Sequence, residues 1–159
     1  MVIILMGVVG AGKTTVGRLL AEKLKCRFAD ADDFHPPSNV EKIRKGVALN
    51  DNDRAPWLRA LRQAIDGWSM TGENVVLACS ALKQKYRDEL CVGQVRFVYL
   101  KGSRELILSR LRVRHGHFAS ESILDSQFAD LEEPRDAVAV TVDNAPEAIA
   151  DEIIDKLRQ

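Results

Sequence analysis

Two rhythms of hydrophobic and polar positions alternate along this chain. Short unbroken apolar runs suit strands buried on both faces, and between them lie stretches with apolar residues three and four apart, which suit amphipathic helices. Residues 2–6 form the first apolar run, and residues 15–25 the first helical stretch, with Leu19, Leu20 and Leu24 expected to turn inward. The pattern predicts further strands over residues 27–30, 74–79, 95–100 and 137–142. Helices are predicted over residues 38–45, stopped by Gly46, and over residues 54–70, with Pro56 near the start and Trp57, Leu58, Leu61 and Ile65 on one face. Two more follow at about residues 82–91 and at 103–113, and Pro146 opens a terminal helix carrying Ile149, Ile153, Ile154 and Leu157. Such alternation predicts an α/β fold, a five-stranded parallel sheet with helices on both faces. With 159 residues and no internal repeat or linker, the chain is expected to form one domain spanning residues 1–159.

Residues 114–135 break the rhythm. Glycine, two histidines, polar residues and Pro134 interrupt a weak helical pattern of Ile123, Leu124, Phe128 and Leu131, as expected of a lid. Arg110 and Arg114 lie one helical turn apart just before it, with Arg112, His115 and His117 nearby.

The chemistry begins at Gly7-Val8-Val9-Gly10-Ala11-Gly12-Lys13-Thr14, which fits G-x-x-x-x-G-K-[ST] and stands between the first strand and the first helix. Glycine permits close backbone approach, and a helix N-terminus supplies free N–H groups, so the loop forms a concavity for phosphate. Lys13 is expected on the β- and γ-phosphates of ATP, the Thr14 hydroxyl on Mg2+, and Thr15 on the first helical turn or the α-phosphate. Nucleotide binding follows; a reaction does not follow from the loop alone.

Charge and cysteine content narrow the classes. Lys plus Arg and Asp plus Glu each total 23, so nothing supports a general attraction to nucleic acid or anionic membrane. Cys26, Cys79 and Cys91 fit neither a disulfide framework nor a zinc pattern, and a reducing cytoplasm is the expected home. Cys79 is expected in the core. The apolar run from Val2 to Ala11 is about ten residues, too short to span a bilayer. No N-K-x-D or D-x-x-G motif accompanies the loop, which argues against a nucleotide-dependent regulatory module.

Several blocks together resemble the gluconate kinases, small P-loop sugar-acid kinases related in fold to shikimate and adenylate kinases. They are residues 7–15, Asp30-Ala31-Asp32-Asp33-Phe34-His35-Pro36, Asn39 with Lys42 and Gly46, and residues 49–54 with Pro56-Trp57-Leu58. The series continues with Cys79-Ser80-Ala81-Leu82-Lys83, Tyr86-Arg87, residues 99–102, Gly116-His117-Phe118, and Gln127 with residues 131–134. The resemblance spans nearly the whole chain. It implies an ATP- and Mg2+-dependent kinase converting D-gluconate to 6-phosphogluconate, and a homodimer; another small-molecule kinase, acting on shikimate or a nucleotide, is the alternative.

Transfer to an alcohol needs a carboxylate near the attacking hydroxyl, a metal on the phosphates and cations over the moving group. The third strand ends in Cys79-Ser80 without a carboxylate, which leaves Asp30 and Asp32 for these tasks. Asp32 is the candidate base and Asp30 the candidate partner of a Mg2+-bound water, with exchange of the two roles open. Lys13 and Arg114 are candidate catalytic cations. Gly7, Gly10, Ala11, Gly12, Lys13, Thr14, Thr15 and Arg110 are candidates for the nucleotide. Arg54, Lys83 and Arg87 are candidate cations for a substrate carboxylate, and His35, Tyr86 and Gln127 candidates for its hydroxyls, while Trp57 is expected in the core.

Overall fold

The computed structural model describes residues 1–115 and 118–159, with side chains described outside 114–120. Among the described residues, strands β1 (Val2–Met6), β2 (Arg27–Asp30), β3 (Val75–Ala78), β4 (Val95–Lys101) and β5 (Val138–Thr141) form one sheet in the order β2-β3-β1-β4-β5. Every pairing is parallel, with Val2 opposite both Val75 and Val95. The predicted sheet is therefore observed. β1 is central and wholly buried, which explains its unbroken apolar run.

Successive β1 side chains feed opposite layers. Ile3 and Leu5 pack with helices α1 (Lys13–Leu24), α5 (Arg104–His115) and α7 (Pro146–Leu157) through Val16, Leu20, Ile107, Leu111, Ile149 and Ile153. Val2, Ile4 and Met6 instead meet α3 (Asp51–Thr71) and α4 (Gln84–Leu90) through Trp57, Leu61, Ile65 and Leu90. Helix α2 (Pro37–Arg44) and helix α6 (Phe118–Asp130) lie outside this sandwich of layers, and Leu124 of α6 reaches the first core. No described helix is long and apolar enough to cross a membrane.

Three local differences from the sequence reading have physical reasons. Leu24 is 37% exposed, because α1 ends there in a left-handed turn at Lys25. Helix α3 begins at Asp51 rather than at residue 54: the Asn50 side chain accepts from the Asp53 amide at 2.8 Å, and the Asp53 carboxylate accepts from the Asn50 amide at 3.0 Å. That reciprocal cap adds a turn ahead of Pro56. A 3-10 turn (Ala31–Phe34), capped by Asp30, lengthens the β2 edge.

Candidate active site

The chain leaves β1 directly into the phosphate loop, and the loop's shape follows from its glycines. Gly10 and Gly12 have φ of 82° and 96°, a region that side chains disfavour, and a Cβ on Gly10 would lie 2.9 Å from Leu111 of α5. Gly12 caps α1 with no side-chain hydrogen bond, so the N–H groups of the first turn are left for an anion. The Thr14 and Thr15 residues are exposed at that turn.

Lys13 folds back over the loop, donating to the Gly7 carbonyl at 2.9 Å and the Val8 carbonyl at 3.0 Å. Burial holds its pKa below the ordinary lysine value, against the opposing influence of Cys79, Asp32 and Asp30. Cys79 itself is buried with its thiol pushed up to about 12 by desolvation, a core residue as expected.

The β2 edge brings up the acidic groups. Asp30 Oδ1 accepts from the Asp32 amide at 3.0 Å, so one oxygen of Asp30 is engaged in shaping the turn. Asp32 stands at the cavity, still exposed to solvent, with protein packed near its base that desolvates it in part. That desolvation and the nearby Asp30 raise its pKa above the usual carboxylate value, with His35 and Lys13 opposing.

Next to the loop lies a cavity of about 520 Å³. Asp32 and His35 line it from the β2 edge, Arg54 and Trp57 from α3, and Ser80, Leu82, Lys83 and Tyr86 from the turn after β3 and from α4. Residues 46–49 close one side, and Ser122, Ile123, Ser126, Gln127 and Asp130 of α6 face it from another. Ile123 is 52% exposed there, whereas Leu124 one position on is fully buried.

The two aspartates of the D-x-D-R block are spent on scaffolding. Asp51 accepts from the Tyr86 hydroxyl at 2.5 Å and from Lys85 at 2.7 Å, contacts that bring its pKa down to about 2. With its proton committed to Asp51, the Tyr86 oxygen accepts from Arg54 Nη1 at 3.0 Å, which steadies the guanidinium at the cavity wall. Asp53 receives Lys42 at 2.8 Å.

Arg87 does not reach this cavity, contrary to expectation. It is 3% exposed; Nη1 donates to the Ala81 and Leu82 carbonyls at 2.7 and 3.0 Å, and Nη2 to Gln84 at 2.9 Å and the Glu132 carbonyl at 2.7 Å. Ala81 has φ of 45°, a left-handed conformation costly for a residue with a Cβ. The buried guanidinium thus holds the turn that carries Ser80 and Lys83, and fastens to it the segment just after α6. A backbone hydrogen bond from Glu132 N to Leu82 O at 2.8 Å joins the same two segments.

Gln127, expected on substrate, lines the cavity and also accepts from the Val9 amide of the phosphate loop at 2.6 Å. Arg110 donates to the Val142 carbonyl beyond β5, at the loop's other flank. The Arg114 side chain, Gly116 and His117 lie outside the described residues. Sequence reasoning missed Ser122, Ser126 and Asp130, although their spacing of four places them on one helical face. It named Asn39 within a block but gave it no role; the residue is buried beside His35.

Comparison with known proteins decides the family. The sequence model of shikimate kinase matches residues 9–158. A probable gluconokinase of Xenopus tropicalis is 43% identical over 96% of this chain and 91% of its own length. The thermoresistant gluconokinase of Escherichia coli K12 is 40% identical, over 98% of this chain and 93% of its own. The chain belongs to the gluconokinase family. The crystal structure of a gluconokinase from Sinorhizobium meliloti 1021 superposes with a TM-score of 0.87 at 40% identity, covering 98% of this chain and 90% of that one. As a gluconokinase-family kinase the protein is a nucleotide-using phosphotransferase, and the resemblance read from the D-x-D-x-x-H-P and C-S-A-L-K blocks is sound.

Proposed function

We propose that this gluconokinase-family protein transfers the γ-phosphoryl group of ATP to the terminal hydroxyl of D-gluconate, giving 6-phosphogluconate. One observation carries the reading: a cavity beside the phosphate loop joins a carboxylate with raised pKa, Asp32, to two cations, Arg54 and Lys83, and to the hydrogen-bonding face of α6. A polyhydroxylated acid needs that combination, with its carboxylate on the cations and its reacting hydroxyl at Asp32.

In this reading Gly10, Gly12, Lys13, Thr14 and Thr15 hold the triphosphate through backbone N–H groups, one ammonium and two hydroxyls, while Gly7 and Ala11, whose amides donate to the Ser80 and Val8 carbonyls at 3.2 Å, shape the loop around it. Lys13 exchanges its two carbonyl partners for phosphate oxygens. Arg110 and Arg114 serve the nucleotide from α5, and the segment 114–135 closes over both substrates, excluding water that would otherwise hydrolyse ATP. Gln127 contacts substrate from that segment. Asp32 orients the attacking hydroxyl and takes its proton late, because a loose transition state makes that proton acidic only once bonding has begun.

The donor set suits a magnesium ion. Thr14 and Asp30 would hold it, directly or through water, and among the described residues no group of three or more His, Cys, Asp or Glu is assembled to hold a metal by itself. An ion here would draw its remaining ligands from nucleotide and water, as magnesium commonly does. When bound, it would neutralise charge on the β- and γ-phosphates.

The reading extends to a cytoplasmic homodimer acting on a small molecule, without nucleic acid or membrane, and light scattering checks the dimer. Coupled ATP consumption against gluconate, other aldonic acids, shikimate and nucleoside monophosphates tests the substrate. Gluconate should be turned over fastest; a clear preference for shikimate or a nucleotide would reject the proposal.

A further inference from the structure

Asn39 of α2 is a polar side chain only 2% exposed, and it lies against the site without touching the cavity. Its Nδ2 donates to the Asp53 carbonyl at 2.7 Å. This contact fixes the amide's orientation, because a carbonyl can only accept and the opposite orientation would set two acceptors against each other. The same amino group lies 3.2 Å from His35 Nδ1. An amide nitrogen offers hydrogens and no lone pair, so Nδ1 must present its own lone pair. A neutral imidazole carries one proton, and here it is left for Nε2.

The plane of the ring is set by stacking, and within that plane the Asn39 amino group favours Nδ1 over the carbon Cδ2 that a half-turn of the ring would bring to it. The ring stacks on Trp57 with centroids 4.6 Å apart and planes 10° apart, and Trp57 is anchored in turn by Nε1–H donating to the Ala31 carbonyl at 2.7 Å. His35 and Trp57 both line the cavity, together with Asp32 and Arg54.

We propose that Asn39 is a positioning residue that locks His35 in the Nε2–H form, making the histidine a hydrogen-bond donor to a substrate hydroxyl beside Asp32. The substrate half of this statement rests on the reading of the cavity as the sugar-acid site. The chemistry is complementary: a carboxylate only accepts and the locked imidazole donates, so one hydroxyl can donate to Asp32 while accepting from His35. A second proton on His35 would have to enter at Nδ1, facing the Asn39 amino group. Burial and the Arg54 charge also oppose it, and only the Asp32 carboxylate favours it, so the pKa lies below the ordinary histidine value. His35 is a neutral donor at neutral pH, neither a base nor a cation.

Long-range 1H–15N correlation of the imidazoles in the unliganded protein tests the lock without any mutation, His35 being identified by the signals lost in His35→Gln. Above pH 7 the protonated nitrogen should be Nε2, coupled to both ring carbon-bound protons. A protonated Nδ1, or averaging between the two forms, would overturn the lock. In Asn39→Asp an acceptor faces Nδ1, so His35 should gain a proton there and titrate at higher pH than in the parent; an unchanged titration overturns the role of Asn39. In the same variant, at a pH above its raised His35 titration, where the ring is neutral with its proton on Nδ1 and none on Nε2, the KM for gluconate should rise roughly five- to tenfold, the loss of about one hydrogen bond, with the KM for ATP within about twofold. An unchanged gluconate KM in a variant that has switched tautomer overturns the substrate contact. Failure of the sugar-acid reading shows differently, as a parent enzyme that does not turn over gluconate while its His35 signals still report Nε2–H.

Discussion

Gln127 Oε1 of α6 accepts a hydrogen bond from the Val9 amide at 2.6 Å, so one side chain joins the helix that faces the acid cavity to the loop that faces the nucleotide. Two sites joined in this way are expected to be coupled: gluconate should tighten nucleotide binding, and by linkage the nucleotide should tighten gluconate by the same factor. Gln127→Ala removes the bond, worth about 1 kcal/mol, and should cut the coupling roughly fivefold. Gln127→Glu should weaken nucleotide binding further, by setting a carboxylate against the triphosphate. Calorimetric titration of each ligand, with and without the other, measures the factor; equal coupling in Gln127→Ala and parent would remove the link.

Arg87 should matter for stability before it matters for binding. Its four hydrogen bonds reach the Gln84 side chain and three backbone carbonyls; without the guanidinium Leu82 keeps the Glu132 amide as a donor, and the Ala81 and Glu132 carbonyls bear the loss. Arg87→Ala is expected to cost about 3 kcal/mol in denaturant unfolding, since buried acceptors lose charged donors. Arg87→Lys should recover little of this, because an ammonium cannot span the forked geometry. A normal unfolding midpoint for Arg87→Ala, with only the gluconate KM raised, would return Arg87 to the substrate list.

The contrast between Arg87 and Arg54 shows what could be read from sequence. Both arginines sit in blocks that resemble the gluconate kinases, and a block does not say which cation faces the cavity and which faces the scaffold. Arg54 remains at the cavity wall because Tyr86, thirty-two positions away, accepts from it; Arg87 is drawn inward by a left-handed turn at Ala81 and by Glu132. Long-range partners of this kind leave no periodic signal. Local partners do: β1 is legible as an apolar run and the phosphate loop as a spacing, while the equally local N-x-x-D cap at Asn50 and Asp53 went unread because the proline at 56 drew the predicted start to residue 54. The Asn39 to His35 contact, four positions apart, needed the Trp57 ring and the Asp53 carbonyl before its direction had meaning.

Lys13 separates stability from catalysis. In the unliganded protein burial lowers the pKa of its ammonium, which donates to two carbonyls, and its charge contributes little to the fold. Lys13→Ala should unfold within about 1 kcal/mol of the parent. Turnover should fall on the order of a thousandfold, as charge on the transferring group loses a fixed cation. Activity within a few-fold of the parent would contradict the assignment.

Asp30 and Asp32 offer the sharpest discrimination, because proximity and partial burial push them towards different work. Desolvation, then Asp30, raises the Asp32 pKa. A carboxyl whose folded value exceeds its unfolded value favours folding while protonated, and that contribution is lost as pH rises through the folded value. At neutral pH the charged Asp32 is therefore a mild liability to the empty fold, and Asp32→Asn should unfold no more easily than the parent. The same raised value sets the acid limb of kcat/KM: activity should fall with decreasing pH sooner than for an ordinary aspartate, because the base must be ionised. Asp32→Asn should lower kcat by about 10²- to 10⁴-fold, the usual span for a lost general base, with ATP affinity little changed. Asp30→Asn should act elsewhere, raising the Mg2+ concentration needed for half-maximal rate, since its free oxygen is the one available to the ion or its water. Both variants measured across a Mg2+ series decide between the roles: a normal rate for Asp32→Asn would end its claim as the base, and a Mg2+ shift confined to Asp32→Asn would exchange the two carboxylates.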